Sequence, residues 1–167
     1  MQRTRHGNEP ARMAIEIERK FLIRDDSWRS RAGTGTAMRQ GYLAGDGQAS
    51  VRVRVEGPRA ALNIKSATLG MRRQEYEYAI PLADAEEILD TLCRRPLIEK
   101  TRFEIEDGGH TWEIDVFAGD NAGLVVAEIE LGSEDETFAR PDWLGEEVTG
   151  DTRYYNVCLV THPYKDW

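Results

Sequence analysis

The sequence predicts an α+β fold, an eight-stranded antiparallel β-barrel with a polar, charged lumen and a few flanking helices. Three observations support this fold class. Alternation of apolar and polar residues, which is typical of β-strands, recurs about eight times along the chain. Helical spacing of apolar residues is found in one middle segment and near the C-terminal end. Charged residues of the same sign occupy alternate positions of single strands, so one face of each strand is charged and the other is apolar.

Strands dominate the first half of the chain. The first strand is the clearest, because Ile15, Ile17 and Phe21 alternate with charged residues. Gly57-Pro58 interrupts the alternation between the third and fourth strands, so these two strands are predicted to form a hairpin. The predicted strands are Ala14–Ile23, Met38–Ala44, Val51–Glu56, Ala60–Ser66 and Arg73–Tyr78.

A helix and further strands are predicted in the second half. The helix covers Pro81–Arg94, where Ile88, Leu89 and Leu92 share one stripe and Pro96 follows the end. The remaining predicted segments are the strands Ile98–Glu106, Thr111–Phe117 and Leu124–Leu131, an acidic, irregular stretch Ser133–Gly150 and a short final helix Asp151–His162.

Like charges are paired along the predicted strands. Residues two apart on a strand point to the same side, so the members of each pair repel one another. A solvent-facing sheet surface is the alternative interpretation, but an unconstrained wet face would mix the signs. The pairs therefore indicate that a ligand, an ion or an oppositely charged neighbour lies among them. They are Glu16 with Glu18, Arg52 with Arg54, Glu75 with Glu77, Lys100 with Arg102, Glu113 with Asp115, and Glu128 with Glu130.

A barrel would bring these charges together in one lumen. Because unpaired buried charges are very unfavourable, a lumen this polar must hold water, ligand and ions rather than a dry core. The apolar faces then point outward and need cover from the helices or from a second subunit. A homodimer is therefore one of the possible assemblies. The residues predicted to line the lumen are Lys20, Arg52, Arg54, Lys65, Arg73, Lys100 and Arg102, with Glu16, Glu18, Glu75, Glu77, Glu113, Asp115, Glu128 and Glu130.

The composition argues against several classes of protein. The net charge of -8 makes a nucleic-acid backbone a poor default partner. No apolar run reaches the ~20 residues of a membrane span, and residues 1–12 lack the apolar core of a secretory signal. Cys93 and Cys158 have neither the number of a disulfide framework nor the spacing of a metal site. These observations predict a cytoplasmic protein with a disordered tail at 1–12 and one domain at 13–167.

A family resemblance is carried first by Glu16-Ile17-Glu18-Arg19-Lys20. Glu-x-Glu-x-Lys on the first strand resembles the signature of the CYTH superfamily, also called triphosphate tunnel metalloenzymes. The resemblance continues in the family's order from Ile15 to Tyr155, and it is strongest to short bacterial members that hydrolyse inorganic triphosphate. The matching motifs are Arg52 with Arg54, Lys65, Glu75 with Glu77, Lys100 with Arg102, Glu113 with Asp115, Glu128 with Glu130, and the stretches Arg39–Leu43 and Arg153–Asn156.

The resemblance implies a triphosphate substrate and a divalent cation, Mg²⁺ or Mn²⁺. Mg²⁺ usually binds one or two carboxylates together with phosphate oxygens and water. Arginine offers a planar fork that matches phosphate, and lysine acts as a point charge. The implied metal ligands are Glu16, Glu18, Asp115, Glu128 and Glu130, the substrate-binding residues are Arg52, Arg54, Lys65, Arg73 and Arg102, and the catalytic residues are Lys20 and Lys100.

The predicted function is metal-dependent hydrolysis of a triphosphate, inorganic tripolyphosphate first, to phosphate and diphosphate. A class IV-type adenylate cyclase is one alternative, but no aromatic or Asn cluster marks an adenine pocket. A non-catalytic polyphosphate or nucleotide sensor is another, although such a protein would be expected to lose its metal carboxylates, and this chain keeps Glu16 with Glu18 and Glu128 with Glu130. Arg73 also fits a structural network with Glu75 and Glu77, and Lys20 also fits neutralisation of the acidic pair before it. No histidine is suited to acid–base work, so the general base is unassigned.

Overall fold

The computed structural model describes residues 14–45, 47–67 and 71–167. The predicted tail at 1–12 and the start of the predicted domain at residue 13 lie outside the described residues and stay predictions. The described residues form nine strands and two α-helices, together with short 3₁₀ turns at Asp26–Ser30, Gly119–Asn121, Thr152–Tyr154 and Tyr164–Asp166. In chain order the elements are β1 (Ala14–Ile23), β2 (Thr36–Gly45), β3 (Ala49–Glu56), β4 (Arg59–Ser66), β5 (Arg72–Ala79), α1 (Leu82–Thr91), β6 (Ile98–Asp107), β7 (His110–Phe117), β8 (Val125–Glu130), β9 (Leu144–Glu147) and α2 (Asn156–Thr161).

Strands β1 to β8 close into an antiparallel barrel. The order around the barrel is β5–β4–β3–β2–β6–β7–β8–β1, and β1 pairs with β5 to complete the circle. On β1, residues 18–22 pair with β8, and residues 14–17 pair with residues 72–75 of β5. The predicted α+β fold with an eight-stranded antiparallel barrel is therefore confirmed. β9 is an additional strand that pairs with the C-terminal end of β1.

The apolar outer face of the barrel is covered by other parts of the same chain. α1 lies over β3, where Leu89 packs against Val53 and Val55. Over β1, β7 and β8, a second core contains Trp28 of the first 3₁₀ turn and Trp143 next to β9. The predicted cover by helices is confirmed for β3, and the predicted homodimer stays a prediction.

One end of the lumen is apolar. Ile98, Phe117 and Val126 lie on the inward faces of β6, β7 and β8, two residues away from charged positions of the same strands. Leu159 and Val160 of α2 pack against them and are buried. Because α2 fills this end with apolar side chains, the charged part of the lumen is confined to the rest of the barrel.

The middle helix is confirmed in a shorter form than predicted. α1 covers Leu82–Thr91, with Pro81 at its N-cap and Leu92 at its C-cap. The prediction of Pro81–Arg94 counted Arg94 as part of a basic last turn, but that residue lies beyond the helix end. No helix in the described part of the chain is both long and apolar enough to cross a membrane.

The acidic stretch Ser133–Gly150, predicted to be irregular, contains the short strand β9. The sequence of β9, Leu-Gly-Glu-Glu, has no alternation of its own. The strand forms at an edge of β1, where Ile23 pairs with Leu144 and Phe21 pairs with Glu147. The prediction failed here because the strand depends on its partner rather than on its own pattern.

The predicted final helix Asp151–His162 is interrupted. Residues Thr152–Tyr154 form a 3₁₀ turn, Tyr155 is extended with ψ of 130°, and α2 begins only at Asn156. The hydroxyl of Tyr155 donates to the carbonyl oxygen of Thr149 at 3.0 Å. The helix is interrupted where this tertiary hydrogen bond forms, and the sequence contains no glycine or proline there that would predict the interruption.

Candidate active site

The charged faces of the strands surround a cavity of about 370 Å³. Among the described residues, seven basic and seven acidic side chains line this cavity, so its formal charges balance. Ile15, Tyr42, Ser50, Tyr155, Asn156 and Val157 complete the wall. All predicted site residues except Asp115 lie on the wall. The charged lining residues are Lys20, Arg52, Arg54, Lys65, Arg73, Lys100 and Arg102, and Glu16, Glu18, Glu75, Glu77, Glu113, Glu128 and Glu130.

Strand register explains how like-signed pairs coexist in the lumen. On β1 and β8, Lys20 lies opposite Glu128. On β6 and β7, Arg102 lies opposite Asp115. At these two positions a charged residue finds an opposite charge on the neighbouring strand, which offsets the repulsion along its own strand.

Five charged groups form a buried network on one side of the cavity. Arg102 lies at its centre, with Nε 2.7 Å from Asp115 Oδ1 and Nη2 2.8 Å from Glu128 Oε2. Lys100 donates to Asp115, and Lys20 donates to Glu128. Because each carboxylate of this network has two basic partners, the network carries its charges with few unpaired groups.

The network shifts the pKa values of its members. Burial alone would raise the pKa of Glu128, but Lys20, Arg102 and Lys100 outweigh it and hold that pKa well below its usual range. Burial lowers the pKa of Lys100 to about 8, although Asp115 counteracts it. Glu128 is therefore an anion over the physiological pH range, and the ammonium group of Lys100 is the easiest of these cations to deprotonate.

Asp115 lies behind the cavity wall. Its side chain is completely buried and accepts hydrogen bonds from Lys100 and from both Nε and Nη2 of Arg102. Burial would raise its pKa, but Arg102 and Lys100 lower it. This placement fits a carboxylate that orients two basic side chains toward the cavity.

A second group of charges lies across β1, β4 and β5. The ammonium nitrogen of Lys65 is 3.0 Å from both carboxylate oxygens of Glu16 and 3.0 Å from Glu75 Oε2. The Nη2 of Arg73 is 3.3 Å from Glu16 and 3.6 Å from Glu18. This group includes both glutamates of the first motif strand and is less deeply buried than the network around Arg102.

Glu130 is the carboxylate with the fewest partners in this region. It forms no hydrogen bond or salt bridge with another described residue, and it lies directly opposite Glu18 in the β1–β8 pairing. Burial raises its pKa, and the nearby charges of Glu16, Glu18 and Glu75 raise it further. Glu18 has the basic neighbours Lys20 and Arg73 at 3.5 and 3.6 Å, whereas Glu130 forms no salt bridge with a described residue, so Glu130 is the member of this pair that favours a bound cation.

The carboxylates around Glu130 fit a hard divalent cation. Within residues 14–45, 47–67 and 71–167, no three His, Cys, Asp or Glu side chains form a ready-made ligand cluster. Magnesium does not require such a cluster, because it usually takes one or two carboxylates and completes its shell with phosphate oxygens and water. Glu18 and Glu130 supply carboxylates of this kind on the cavity wall.

β3, which carries Arg52 and Arg54, lies across the barrel from β8, which carries Glu130. Arg54 Nη2 is 3.0 Å from Glu77 Oε2, and Arg52 Nη2 is 3.9 Å from Glu75 Oε1. Sequence reasoning did not select Asn63, whose amide donates to both of these glutamates. The alternation of β4 could have found it, because Asn63 and the predicted site residue Lys65 share one strand face.

The start of α2 contributes to the cavity as well. Tyr155, Asn156 and Val157 line it, and the guanidinium carbon of Arg73 is 5.6 Å from the ring centroid of Tyr155. Behind these residues, Leu159 of α2 packs into the apolar end of the lumen.

Known proteins resemble this chain over most of its length. The family model of the CYTH domain matches residues 14–158. An inorganic triphosphatase of Acetivibrio thermocellus is 50% identical over 155 residues, which cover 93% of this chain and 99% of that protein. An inorganic triphosphatase of Nitrosomonas europaea is 38% identical over 150 residues, which cover 87% of this chain and 96% of that protein.

A solved structure shares the fold as well as the sequence. The crystal structure of an inorganic triphosphatase superimposes with a TM-score of 0.62 at 37% identity, covering 87% of this chain and 93% of that chain. The domain match spans the whole barrel and includes every strand that lines the cavity. The chain therefore belongs to the CYTH domain family.

Proposed function

We propose that this protein hydrolyses a triphosphate, inorganic tripolyphosphate first, to phosphate and diphosphate with the help of a divalent cation. The observation that carries this proposal is the cavity of about 370 Å³ with seven basic and seven acidic residues on its described wall. Forked arginines and lysines bind phosphate oxygens, and the acidic residues among them suit a cation. The two relatives named inorganic triphosphatase support the same activity.

The charge balance of the cavity supports the need for a cation. The formal charges of the described wall sum to zero, whereas a triphosphate brings several negative charges. Substrate alone would leave the lumen strongly negative, and such an excess is unfavourable in a partly buried site. Mg²⁺ or Mn²⁺ beside the phosphate oxygens would restore the balance.

We assign the cation to Glu18 and Glu130, with Glu16 and Glu128 as neighbouring carboxylates. Glu130 has no basic partner among the described residues, so it can bind a cation without breaking a salt bridge. Glu128 is already engaged by Lys20 and Arg102, which makes it the weaker candidate. When bound, the cation supplies positive charge beside the phosphate oxygens and makes water more acidic.

The basic residues position the phosphates and offset their charge. Arg52 and Arg54 present two guanidinium forks from one strand face, and Lys65, Arg73 and Arg102 add charges from β4, β5 and β6. Phosphoryl transfer depends mainly on such positioning and charge stabilisation. This is a binding role for five predicted substrate ligands, each of which lies on the cavity wall.

Lys100 and Lys20 are assigned to the reacting end of the substrate. Lys100 is held by Asp115 at the base of the wall, so its ammonium group can offset negative charge on the oxygen that leaves. Lys20 is held between Glu128 and Glu18, where it orients the acidic group. Asp115 acts through Lys100 and Arg102 as a positioning residue, which replaces the metal-binding role that the sequence suggested.

The wall favours a substrate without a large apolar group. Ile15, Tyr42, Tyr155 and Val157 are the apolar or aromatic members of the described lining, beside fourteen charged side chains. A nucleobase is normally held by such apolar and aromatic surface. A class IV-type adenylate cyclase and a non-catalytic nucleotide sensor therefore have less support than a triphosphatase.

We also propose that the protein works in the cytoplasm, without a nucleic-acid partner, and that residues 1–12 are dispensable. The cytoplasmic assignment is supported by the two unpaired cysteines, Cys93 and Cys158. A homodimer is compatible with the described surface, on which Tyr78 and Leu92 are exposed.

The proposed function is tested by one assay. Purified protein is incubated with Mg²⁺ or Mn²⁺ and with tripolyphosphate, thiamine triphosphate or ATP, and phosphate, diphosphate and cyclic AMP are measured. We expect phosphate and diphosphate from tripolyphosphate, and no activity after chelation of the metal. Formation of cyclic AMP would establish the cyclase instead, and tight binding without turnover of any substrate would establish a sensor.

A further inference from the structure

A buried asparagine lies beneath the phosphate-binding wall. Asn63 on β4 is completely buried, and it lies between Arg52 on β3 and Glu77 on β5 in strand register. Its amide nitrogen donates to Glu75 Oε1 at 2.8 Å and to Glu77 Oε2 at 2.6 Å. One amide group therefore holds two carboxylates of the same strand face together.

The two carboxylates need such a bridge. Glu75 and Glu77 are two residues apart on β5 and repel one another. Each also holds a basic side chain, because Glu75 is 3.0 Å from Lys65 and Glu77 is 3.0 Å from Arg54. The position of the amide of Asn63 is therefore transmitted through two glutamates to two of the proposed phosphate ligands.

The stability of the fold does not explain the choice of asparagine. The carbonyl oxygen of the Asn63 side chain is buried and accepts no hydrogen bond from a described residue. An unsatisfied buried acceptor costs stability, and an apolar side chain at this position would avoid that cost. What asparagine adds is the pair of donated hydrogen bonds, and both of them end on carboxylates of the site.

We propose that Asn63 is a positioning residue that sets the placement of Lys65 and Arg54 for the triphosphate. Its amide screens Glu75 from Glu77, so neither carboxylate has to draw its basic partner closer to balance its charge. Arg54 thus keeps hydrogen-bond donors free for phosphate oxygens, and Lys65 keeps its place between Glu16 and Glu75. This inference rests on the proposed function, because these basic residues are phosphate ligands only if a triphosphate is the substrate.

The test exchanges the amide and the carboxylate between two positions. Asn63→Asp removes both donated hydrogen bonds and adds a third carboxylate, so the KM for tripolyphosphate should rise about tenfold or more while kcat changes little. Combining it with Glu77→Gln restores one amide and two carboxylates to this group and keeps the net charge of the wild-type protein. In the Glu77→Gln background, the same Asn63→Asp change should therefore raise KM by no more than about threefold.

A second buried asparagine provides the matched control. Asn121 is almost completely buried, and its side-chain oxygen accepts from the backbone N–H of Tyr164, away from the charged wall. Asn121→Asp should lower the melting temperature and leave KM unchanged. If Asn63→Asp does not fold, Asn63→Thr is measured in the same two backgrounds, because threonine removes at least one donated hydrogen bond without adding charge.

The outcomes separate this inference from the proposed function. Failure of the wild-type protein to hydrolyse or bind tripolyphosphate would overturn the proposed function. Wild-type hydrolysis combined with equal effects of the Asn63 change on KM in both backgrounds would overturn the inference alone. A smaller effect in the Glu77→Gln background, with KM rather than kcat affected, supports the positioning role, since a loss of packing alone would not be reversed by removing the charge of Glu77.

Discussion

The two ends of the barrel lumen are built from the same strands but from opposite chemistry. On β6, Ile98 faces the apolar end and Lys100 lies on the wall of the charged cavity. On β7, Phe117 faces the apolar end, and Asp115 is buried behind the charged wall. A step of two residues along one strand therefore leads from a packed apolar core to a network of charged side chains. The closed end gains stability from burial, whereas the charged end retains paired ions that a stable core does not need.

This contrast separates stability from function within one sheet. Well-packed apolar residues often replace buried ion pairs without loss of stability, so ions kept in a lumen point to binding or catalysis. The apolar end, closed by Leu159 of α2, gives the charged end a base of packed, buried side chains. Changes at the two ends should therefore have different consequences.

The largest effect on stability is expected at the centre of the charged network. Arg102→Ala leaves Asp115 and Glu128 without their shared partner, and breaking a buried ion pair typically costs about 3–5 kcal/mol in free energy of unfolding. Urea denaturation measures this loss. A loss below about 1 kcal/mol, the size of a surface ion pair, would mean that solvent screens the network.

A change at the apolar end should affect stability without altering the chemistry. Leu159→Ala creates a cavity next to Ile98 and Phe117 and should cost about 2–5 kcal/mol. The folded fraction should keep the metal dependence of the wild-type protein, as measured by titration of tripolyphosphate hydrolysis with Mg²⁺. A changed metal requirement would show that the two ends are not independent.

Replacing Glu130 should increase the stability of the metal-free protein, whereas the two changes above decrease it. Glu130→Gln removes one of two carboxylates that face one another across β1 and β8, so the metal-free protein should gain about 0.2–1 kcal/mol. Thermal unfolding in the presence of a chelator measures the gain. A loss of stability would indicate that Glu130 has a basic partner in solution.

The smallest effect is expected on the outer surface of β1. Arg19 donates to Glu147 through Nε at 2.8 Å and lowers the pKa of that carboxyl below its ordinary value of 4.5. A carboxyl whose folded pKa is lowered contributes stability above its unfolded pKa, and this contribution is lost as pH falls through the folded pKa. Arg19→Met should therefore cost less than about 1 kcal/mol at pH 7 and nothing in strong acid. An equal cost at both pH values would contradict this assignment.

The sequence predicted the lumen because period-two alternation assigns each strand residue to one of two faces. That rule placed Glu18, Arg54 and Lys100 on the shared cavity without any knowledge of strand order. It could not say how deep along the barrel a residue lies. Asp115 was predicted to be a metal ligand, which stays a prediction; in the structure it is completely buried and contacts Lys100 and Arg102.

Other features depended on contacts between distant parts of the chain. β9 exists because β1 has a free edge near Ile23, and the break at Tyr155 coincides with its hydrogen bond to Thr149. Asn63 was overlooked because it is uncharged, and the sequence prediction selected lumen residues by their charge. Local alternation thus predicts the strand face on which a side chain lies. Its position along the barrel and its contacts depend on the register between strands.

The most direct test of the central claim compares metal titrations of two variants. Glu130→Gln should need more Mn²⁺ than the wild-type protein and recover part of its tripolyphosphatase activity at high Mn²⁺, because a cation ligand is weakened. Arg54→Ala should lose about ten- to a hundredfold in KM or turnover, with no recovery at any metal concentration, because a phosphate contact is missing. Identical metal responses of the two variants, or full activity of both, would contradict the division of the lumen into cation-binding and phosphate-binding groups.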